Sequence, residues 1–192
     1  MLTPTADDKA TRARLFQTAA ARYYVATEVN DCADGETLGG GTVSKSSFEY
    51  VIYIHGEPED VWRGLTEPEF TRRYWFHDNV SDWTEGAKWE SRRSGGGDEA
   101  VDIVGVVIEI ERPHRLVLSW APPADADDPD KVSRVSFEMS AQNEWPHGPW
   151  TALRLVHSEL EPDSDMLMSM TFGWPAVLSG LKSVLESPEI FT

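Results

Sequence analysis

Gly173-Trp174-Pro175-Ala176-Val177-Leu178-Ser179-Gly180-Leu181-Lys182-Ser183-Val184-Leu185-Glu186-Ser187-Pro188 is the stretch on which the fold turns. Trp174, Val177, Leu178, Leu181, Val184 and Leu185 fall at offsets of 0, 3, 4, 7, 10 and 11, one continuous face of a 3.6-residue repeat. Pro175 fits the first turn of a helix, and Ser187-Pro188 stops it. An amphipathic helix therefore runs from about residue 174 to 187, and it needs an apolar surface to lie on.

The segments upstream supply that surface. Phe48-Glu49-Tyr50-Val51-Ile52-Tyr53-Ile54 reads as a strand with Phe48, Tyr50, Ile52 and Ile54 on one face, and Gly56-Glu57-Pro58 ends it. Pro58 starts a short helix carrying Val61, Trp62 and Leu65. Thr66-Glu67-Pro68-Glu69 has capping-box spacing and predicts a second short helix, with Phe70 and Tyr74 on its buried stripe. Turn chemistry then separates candidate strands at Lys88 to Arg92, Val101 to Glu111, Arg115 to Ala121, Val132 to Ser140 and Trp150 to Ser158, with a short one near Val80 to Trp83. Gly95-Gly96-Gly97, Arg112-Pro113-His114 and Asn143 to Pro149 suit hairpins, so neighbours are antiparallel, and Pro122 to Asp130 makes a longer acidic loop. One strand, two short helices, about six strands and a long helix make an α+β domain with an antiparallel sheet curled around the helix.

Residues 1 to 45 stand apart as an N-terminal helical extension and linker. Asp7 or Asp8 can cap a helix with Phe16, Ala20, Tyr23 and Tyr24 on one face, which would dock on the main body or on another subunit. Gly35 to Gly41 is a Gly-rich linker, and the main domain is expected over 46 to 192.

Composition excludes several function classes. The chain of 192 residues carries 17 basic and 33 acidic residues, a net charge of −16, which repels nucleic acid and anionic membranes. Cys32 is the only cysteine, so neither an internal disulfide nor a thiolate metal cluster is available. No apolar run approaches the roughly 20 residues of a spanning helix, and the first residues lack a basic start or apolar leader, so cytoplasmic residence is expected. The sequon Asn79-Val80-Ser81 is then a coincidence of spelling.

Three stretches carry a family likeness. Glu57 to Trp62, Leu65-Thr66-Glu67-Pro68-Glu69-Phe70-Thr71-Arg72-Arg73-Tyr74-Trp75-Phe76, and Gly173 to Glu186 resemble the bacterial relatives of the C-terminal domain of the Hsp90 ATPase activator Aha1, within the START-like or SRPBCC superfamily. Asp82-Trp83, Gly86-Ala87-Lys88-Trp89, Pro113-His114-Arg115-Leu116, Trp120, Ser133-Arg134-Val135 and Leu155-Val156-His157 are similar too. The resemblance implies a START-like helix-grip fold, a curved antiparallel sheet around the C-terminal helix with a deep cavity between them.

Candidate site residues follow from that cavity. Trp62 and Trp174 lie on helix faces and read as core, while Trp145 and Trp150 flank a Pro-Gly turn and cover a sheet end. Trp75, Trp83, Trp89 and Trp120 are candidates for the wall, since an indole offers apolar area and one N–H donor; packing alone is the competing explanation. Phe137 and Met139 share a strand face and are candidates for the floor, Leu178 and Leu181 for the helix side, and Met166, Met168 and Met170 for a flexible mouth. His157 is a candidate facing the cavity with Glu159 on the same side, against the alternative of a structural histidine.

The five histidines show no metal-ligand spacing, the serines no nucleophile elbow, and Asp78, Asp82 and Glu85 read as solvated loop charge. No metal and no cofactor is predicted. The first functional expectation is a non-enzymatic module holding a small hydrophobic or aromatic molecule between sheet and helix. A chaperone or stress-response partner protein is the alternative, a cavity cyclase or hydrolase a third, and a second copy of the chain a candidate partner.

Overall fold

The computed structural model describes residues 45–95, 101–144 and 147–187. The expected N-terminal helix and linker, Cys32, Trp145 and the middle of the Gly95-Gly96-Gly97 turn lie outside these residues.

The elements are β1 (Ser46–His55), α1 (Pro58–Thr66), α2 (Pro68–Tyr74), β2 (His77–Ser81), β3 (Lys88–Arg93), β4 (Val101–Glu111), β5 (Arg115–Trp120), β6 (Ser133–Ala141), β7 (Trp150–Leu160) and α3 (Asp165–Glu186). A single 3-10 turn, Pro123–Asp125, lies between β5 and β6. The strands form one antiparallel sheet in the order β1-β7-β6-β5-β4-β3-β2. Hairpins join β2 through β7 in sequence, while β1 pairs with the last strand and so brings the two ends of the domain together. This is the helix-grip arrangement: a seven-stranded sheet around α3.

Alternation sets the two faces of the sheet. On β1, Phe48, Tyr50, Ile52 and Ile54 turn toward the helix layer and Glu49, Val51, Tyr53 and His55 toward water. On the water face, Glu49, Arg154, Glu138, Arg115 and Glu109 form a chain of ion pairs from β1 to β4. Such exposed pairs add little stability and mark the solvated side. The opposite face meets Trp174, Leu178, Leu181 and Val184 of α3, each at most 3% exposed. At its far end α3 is tied to β1: the Lys182 ammonium donates to the Tyr53 carbonyl at 2.6 Å, and Glu186 accepts from the His55 amide at 2.7 Å.

Three local expectations need correction. First, α3 begins at Asp165, where the Ser164 hydroxyl accepts from the Leu167 amide at 3.1 Å. Met166, Met168 and Met170 are therefore helical rather than a loose mouth, and Pro175 sits in the helix interior. The pattern concealed this because no residue from Asp165 to Gly173 is fully buried, leaving the first turns without an apolar stripe.

Second, the capping box at Thr66 does not form. The Thr66 hydroxyl donates backward to the Trp62 carbonyl at 2.8 Å, and Glu67 becomes the N-cap of α2. The reciprocal contact belongs to α1 instead, where the Glu57 amide donates to the Asp60 carboxylate at 3.1 Å. Third, β2 spans His77–Ser81, a few residues earlier than expected. Thr71, fully buried in α2, donates to the His77 carbonyl at 2.7 Å and fixes where that strand starts.

Candidate functional site

Trp120, at the end of β5, is the hub of the interior. Its ring lies 5.9 Å from Trp75 at an interplanar angle of 11°, 5.2 Å from Trp89, 5.3 Å from Trp174 and 5.6 Å from His157. Trp75 follows α2 and also meets Trp174 at 5.6 Å. Four indoles from a loop, two strands and α3 thus occupy the space between the layers. Aromatic pairs of this kind contribute about 0.5–1.5 kcal/mol each beyond the area they bury.

The deep cavity implied by the resemblance is therefore filled. About 10 Å³ remains beside Trp120, room for roughly one water. The structure brings five of the expected residues, Trp75, Trp83, Trp89, Trp120 and Phe137, onto the wall of this one space, together with Leu65, Leu116 and Leu118. Met139, Leu178 and Leu181 are buried in the surrounding core and do not line it. Trp89 is held by an N–H bond to the Ser119 carbonyl at 2.9 Å.

Sequence reasoning did not assign Leu65, Leu116, Leu118 or Asn79 to this wall, and Asn79, on β2, is the polar one among them. It is 5% exposed, and its Nδ2 donates to the Leu65 carbonyl at 3.0 Å. The sequon amide is thus buried and committed to a backbone partner. Alternation along β2 was the available signal, but in a five-residue polar strand it does not distinguish the inner face. Among the described residues, two buried side-chain polar atoms have no hydrogen-bond partner, Asn79 Oδ1 and Trp120 Nε1. Both residues line the same small space.

Two short loops carry the partly exposed members of its wall. Trp75 and Trp83 are half-buried, Phe76 beside the former is 67% exposed, and both Phe76 (φ 61°) and Trp83 (φ 49°) occupy the left-handed region. Bulky residues adopt that conformation at a cost, and such positions gather at ligand clamps and switches. The Trp83 amide donates to the Ser81 hydroxyl at 3.1 Å, which sets its turn. Behind Trp75, His77 places Nδ1 2.8 Å from the Trp75 carbonyl and Nε2 2.8 Å from Asp102, which also pairs with Arg93. Burial raises the Asp102 carboxyl, but the hydrogen bonds from His77 and Arg93 outweigh it and hold the group below its usual range.

His157 is fully buried and belongs to a directed chain of hydrogen bonds. Trp174 Nε1, which can only donate, lies 3.0 Å from His157 Nδ1, so Nδ1 is the accepting nitrogen. The proton of the neutral ring is then on Nε2, which donates to Ser133 Oγ at 2.8 Å, and Ser133 donates on to the Trp120 carbonyl at 3.0 Å. Burial pushes the His157 pKa down to about 4. Seen by distance alone, Ser133 and His157 look like a nucleophile and its base. Their polarity is the reverse: histidine donates to serine, and its accepting nitrogen is occupied.

His157 and Glu159, expected on the same side of the strand, face opposite ways. Glu159 has φ 61°, which breaks the alternation of β7, so it turns out to solvent and pairs with Arg134 at 3.1 Å while Leu160 turns inward. Glu159 lines an open, mostly charged cleft of about 250 Å³ with Asp125, Asp130, Lys131, Glu161 and Asp165. Of the loop acids, Asp78 is engaged by Arg72 at 3.0 Å. Among the described residues no group of three or more His, Cys, Asp or Glu is arranged to hold a metal ion. No helix among them is long and apolar enough to cross a membrane.

Comparison with known proteins places this geometry. The model of the family described as Activator of Hsp90 ATPase homolog 1-like protein matches residues 55–186. Similar solved structures include the Aha1 dimer from Colwellia psychrerythraea, at 19% identity and TM-score 0.60, covering 75% of this chain and 98% of that one. A protein from Mesorhizobium loti matches at 24% identity and TM-score 0.58, covering 73% and 97%. An HSP90 activator from Plasmodium falciparum matches at 22% identity and TM-score 0.57, covering 73% and 96%. At these identities the likeness speaks for the fold alone. The comparison with curated proteins returns no match.

Proposed function

The chain belongs to the Activator of Hsp90 ATPase homolog 1-like family, and from that premise we propose that it is a non-enzymatic module that holds a small apolar or aromatic molecule between the sheet and α3. The observation that carries this reading is the indole-walled space beside Trp120, whose half-buried members Trp75 and Trp83 sit on two loops with left-handed backbone. A space of about 10 Å³ holds no such molecule as it stands. Binding on this reading displaces Trp75, the half-buried wall member, and the ligand takes its place against Trp120. The reversed polarity of Ser133 and His157 speaks against acyl transfer at that pair. Residence in the cytoplasm goes with this reading.

Titration with a panel of lipids and aromatic metabolites, read by tryptophan emission, tests the proposal on the native chain and on Trp75→Ala. Saturable changes that tighten in Trp75→Ala support it. No response from any compound in either protein would sink it.

A second reading has its own observation. From Met166 to Leu181, α3 carries no charged residue, and it exposes Met168 (56%) and Phe172 (38%), in a chain of net charge −16. An uncharged face on a surface helix suits protein contact. This favours a chaperone-partner role like that of the HSP90 activator from Plasmodium falciparum. Capture by an Hsp90-type chaperone with stimulated ATPase activity supports it, and no stimulation at saturating protein ends it.

A further inference from the structure

We infer that the turn carrying Trp75 and Phe76 is held by a doubly protonated His77 and released as pH rises, a proton switch at the start of the edge strand β2. The switch needs no ligand and stands apart from the binding reading above.

His77 is the first residue of β2. Both of its ring nitrogens face groups that only accept: Nδ1 lies 2.8 Å from the Trp75 carbonyl oxygen, and Nε2 lies 2.8 Å from Oδ2 of Asp102 on β4. A neutral imidazole has one N–H and one lone pair, so in either tautomer one of these contacts would set a lone pair against an oxygen. Only the imidazolium donates to both. Asp102 does not supply the missing hydrogen. Burial pushes its carboxyl up, but the bonds from His77 and from Arg93, the latter at 2.7 Å and 2.9 Å, outweigh that and keep it ionised.

The other charges around the ring, among the described residues, are already engaged. Arg93 sits opposite His77 in the β2–β3 register and is committed to Asp102. Asp78, next in β2, is paired with Arg72 of α2 at 3.0 Å and accepts from Ser94 at 3.1 Å. The His77 side chain is 19% exposed, which lets it trade its proton with water.

Loss of one proton acts on one side only. Hydrogen bonds between charged partners are the stronger ones, so the remaining N–H stays with the Asp102 carboxylate and Nδ1 is left without hydrogen. Nδ1 then repels the Trp75 carbonyl. The turn it held is a costly one, with Phe76 at φ 61° and its side chain 67% exposed. The Ser94 amide still donates to the Phe76 carbonyl at 2.9 Å, and the Thr71 hydroxyl to the His77 carbonyl at 2.7 Å, so β2 stays in place and the response is confined to the turn. Trp75, stacked on Trp120 at 5.9 Å, carries the change to the indole cluster. The tie is complete in mild acid and lost as pH rises, whereas burial keeps His157 neutral until its pKa of about 4.

The test uses the full chain labelled with nitrogen-15, between about pH 5 and pH 8, the span over which imidazole ordinarily changes charge. Ring-nitrogen spectra report the hydrogens on His77, and the Trp75 indole resonance reports the turn. Both His77 nitrogens are expected to carry hydrogen at the acid end and Nε2 alone at the other, with the Trp75 resonance moving at the same midpoint. Asp102→Asn should bring that midpoint to lower pH, and in His77→Gln the Trp75 resonance should no longer follow pH. A single N–H on His77 across the whole range would overturn the inference, and that measurement is made on the native chain, whatever the variants do. A Trp75 resonance that moves as much in His77→Gln as in the native chain would overturn it too.

Discussion

Trp174 donates its indole N–H to Nδ1 of His157 across 3.0 Å, joining α3 to β7 through a buried bond. Everything downstream of that contact has a fixed direction: histidine to Ser133, Ser133 to the Trp120 carbonyl. The chain runs behind the indole cluster and holds Trp120 and Trp174 in register.

Acid should weaken the fold through His157. Burial holds its pKa down at about 4 in the folded protein against 6.5 for a solvated histidine, so the unfolded chain binds the extra proton between those values. The contribution of neutral His157 is complete above about pH 6.5, falls as pH drops toward 4, and is gone below. The loss amounts to about 2–3 kcal/mol between pH 7 and pH 4. Urea unfolding of the native chain and of His157→Leu across that range checks it. The stability difference between the two should shrink as pH falls, and a constant difference would refute the assignment.

Trp174→Phe keeps a ring at the helix–sheet contact but strands the accepting nitrogen of His157. A buried polar group without its partner costs about 1–3 kcal/mol, to which the lost indole area adds. Guanidinium unfolding should show that loss with little change in the far-ultraviolet circular dichroism. Stability equal to the native chain would mean that the indole N–H contributes nothing.

Gly105→Ala tests the closest approach in the sheet. A Cβ there would lie 1.9 Å from the Ser119 carbonyl oxygen and 2.4 Å from Trp89 Nε1, on the side where Trp89 bonds that same carbonyl. Backbone cannot move aside cheaply, so a cost of about 3 kcal/mol or more is expected. Thermal unfolding, or failure to accumulate as folded protein, reads it.

Gly173→Ala runs the other way. The position is inside α3, and nothing lies within 4 Å of the added Cβ. Alanine reduces the entropy that glycine loses on entering a helix, a gain of about 0.5–1 kcal/mol. A higher unfolding midpoint is expected; a lower one would show that α3 needs its flexibility beside Pro175.

The strands were legible because a two-residue repeat is a local property. Phe48, Tyr50, Ile52 and Ile54 share a face whatever lies beyond them, and Pro and Gly punctuate what the repeat leaves open. The last three turns of α3 were legible for the same reason, through Trp174, Leu178, Leu181 and Val184. The first turns were not, because Met166 and Met170 touch the core only while partly exposed and no residue from Asp165 to Gly173 is fully buried, so no apolar stripe marks them. Asn79 was invisible as a wall residue: its side chain turns inward because Thr71 starts β2 at His77, a contact between elements.

What the sequence determined by itself was the order of elements, the α+β class, and a pool of aromatic residues available to the interior. Only the tertiary structure decided that the indoles fill the space rather than line it, which side chains share its wall, and which way the His157 hydrogen bonds point. The physical reason is that periodicity is set by the geometry of one chain segment. Volume and hydrogen-bond polarity are set by which groups meet across layers, and Trp174, His157, Ser133 and Trp120 come from four separate elements or their borders.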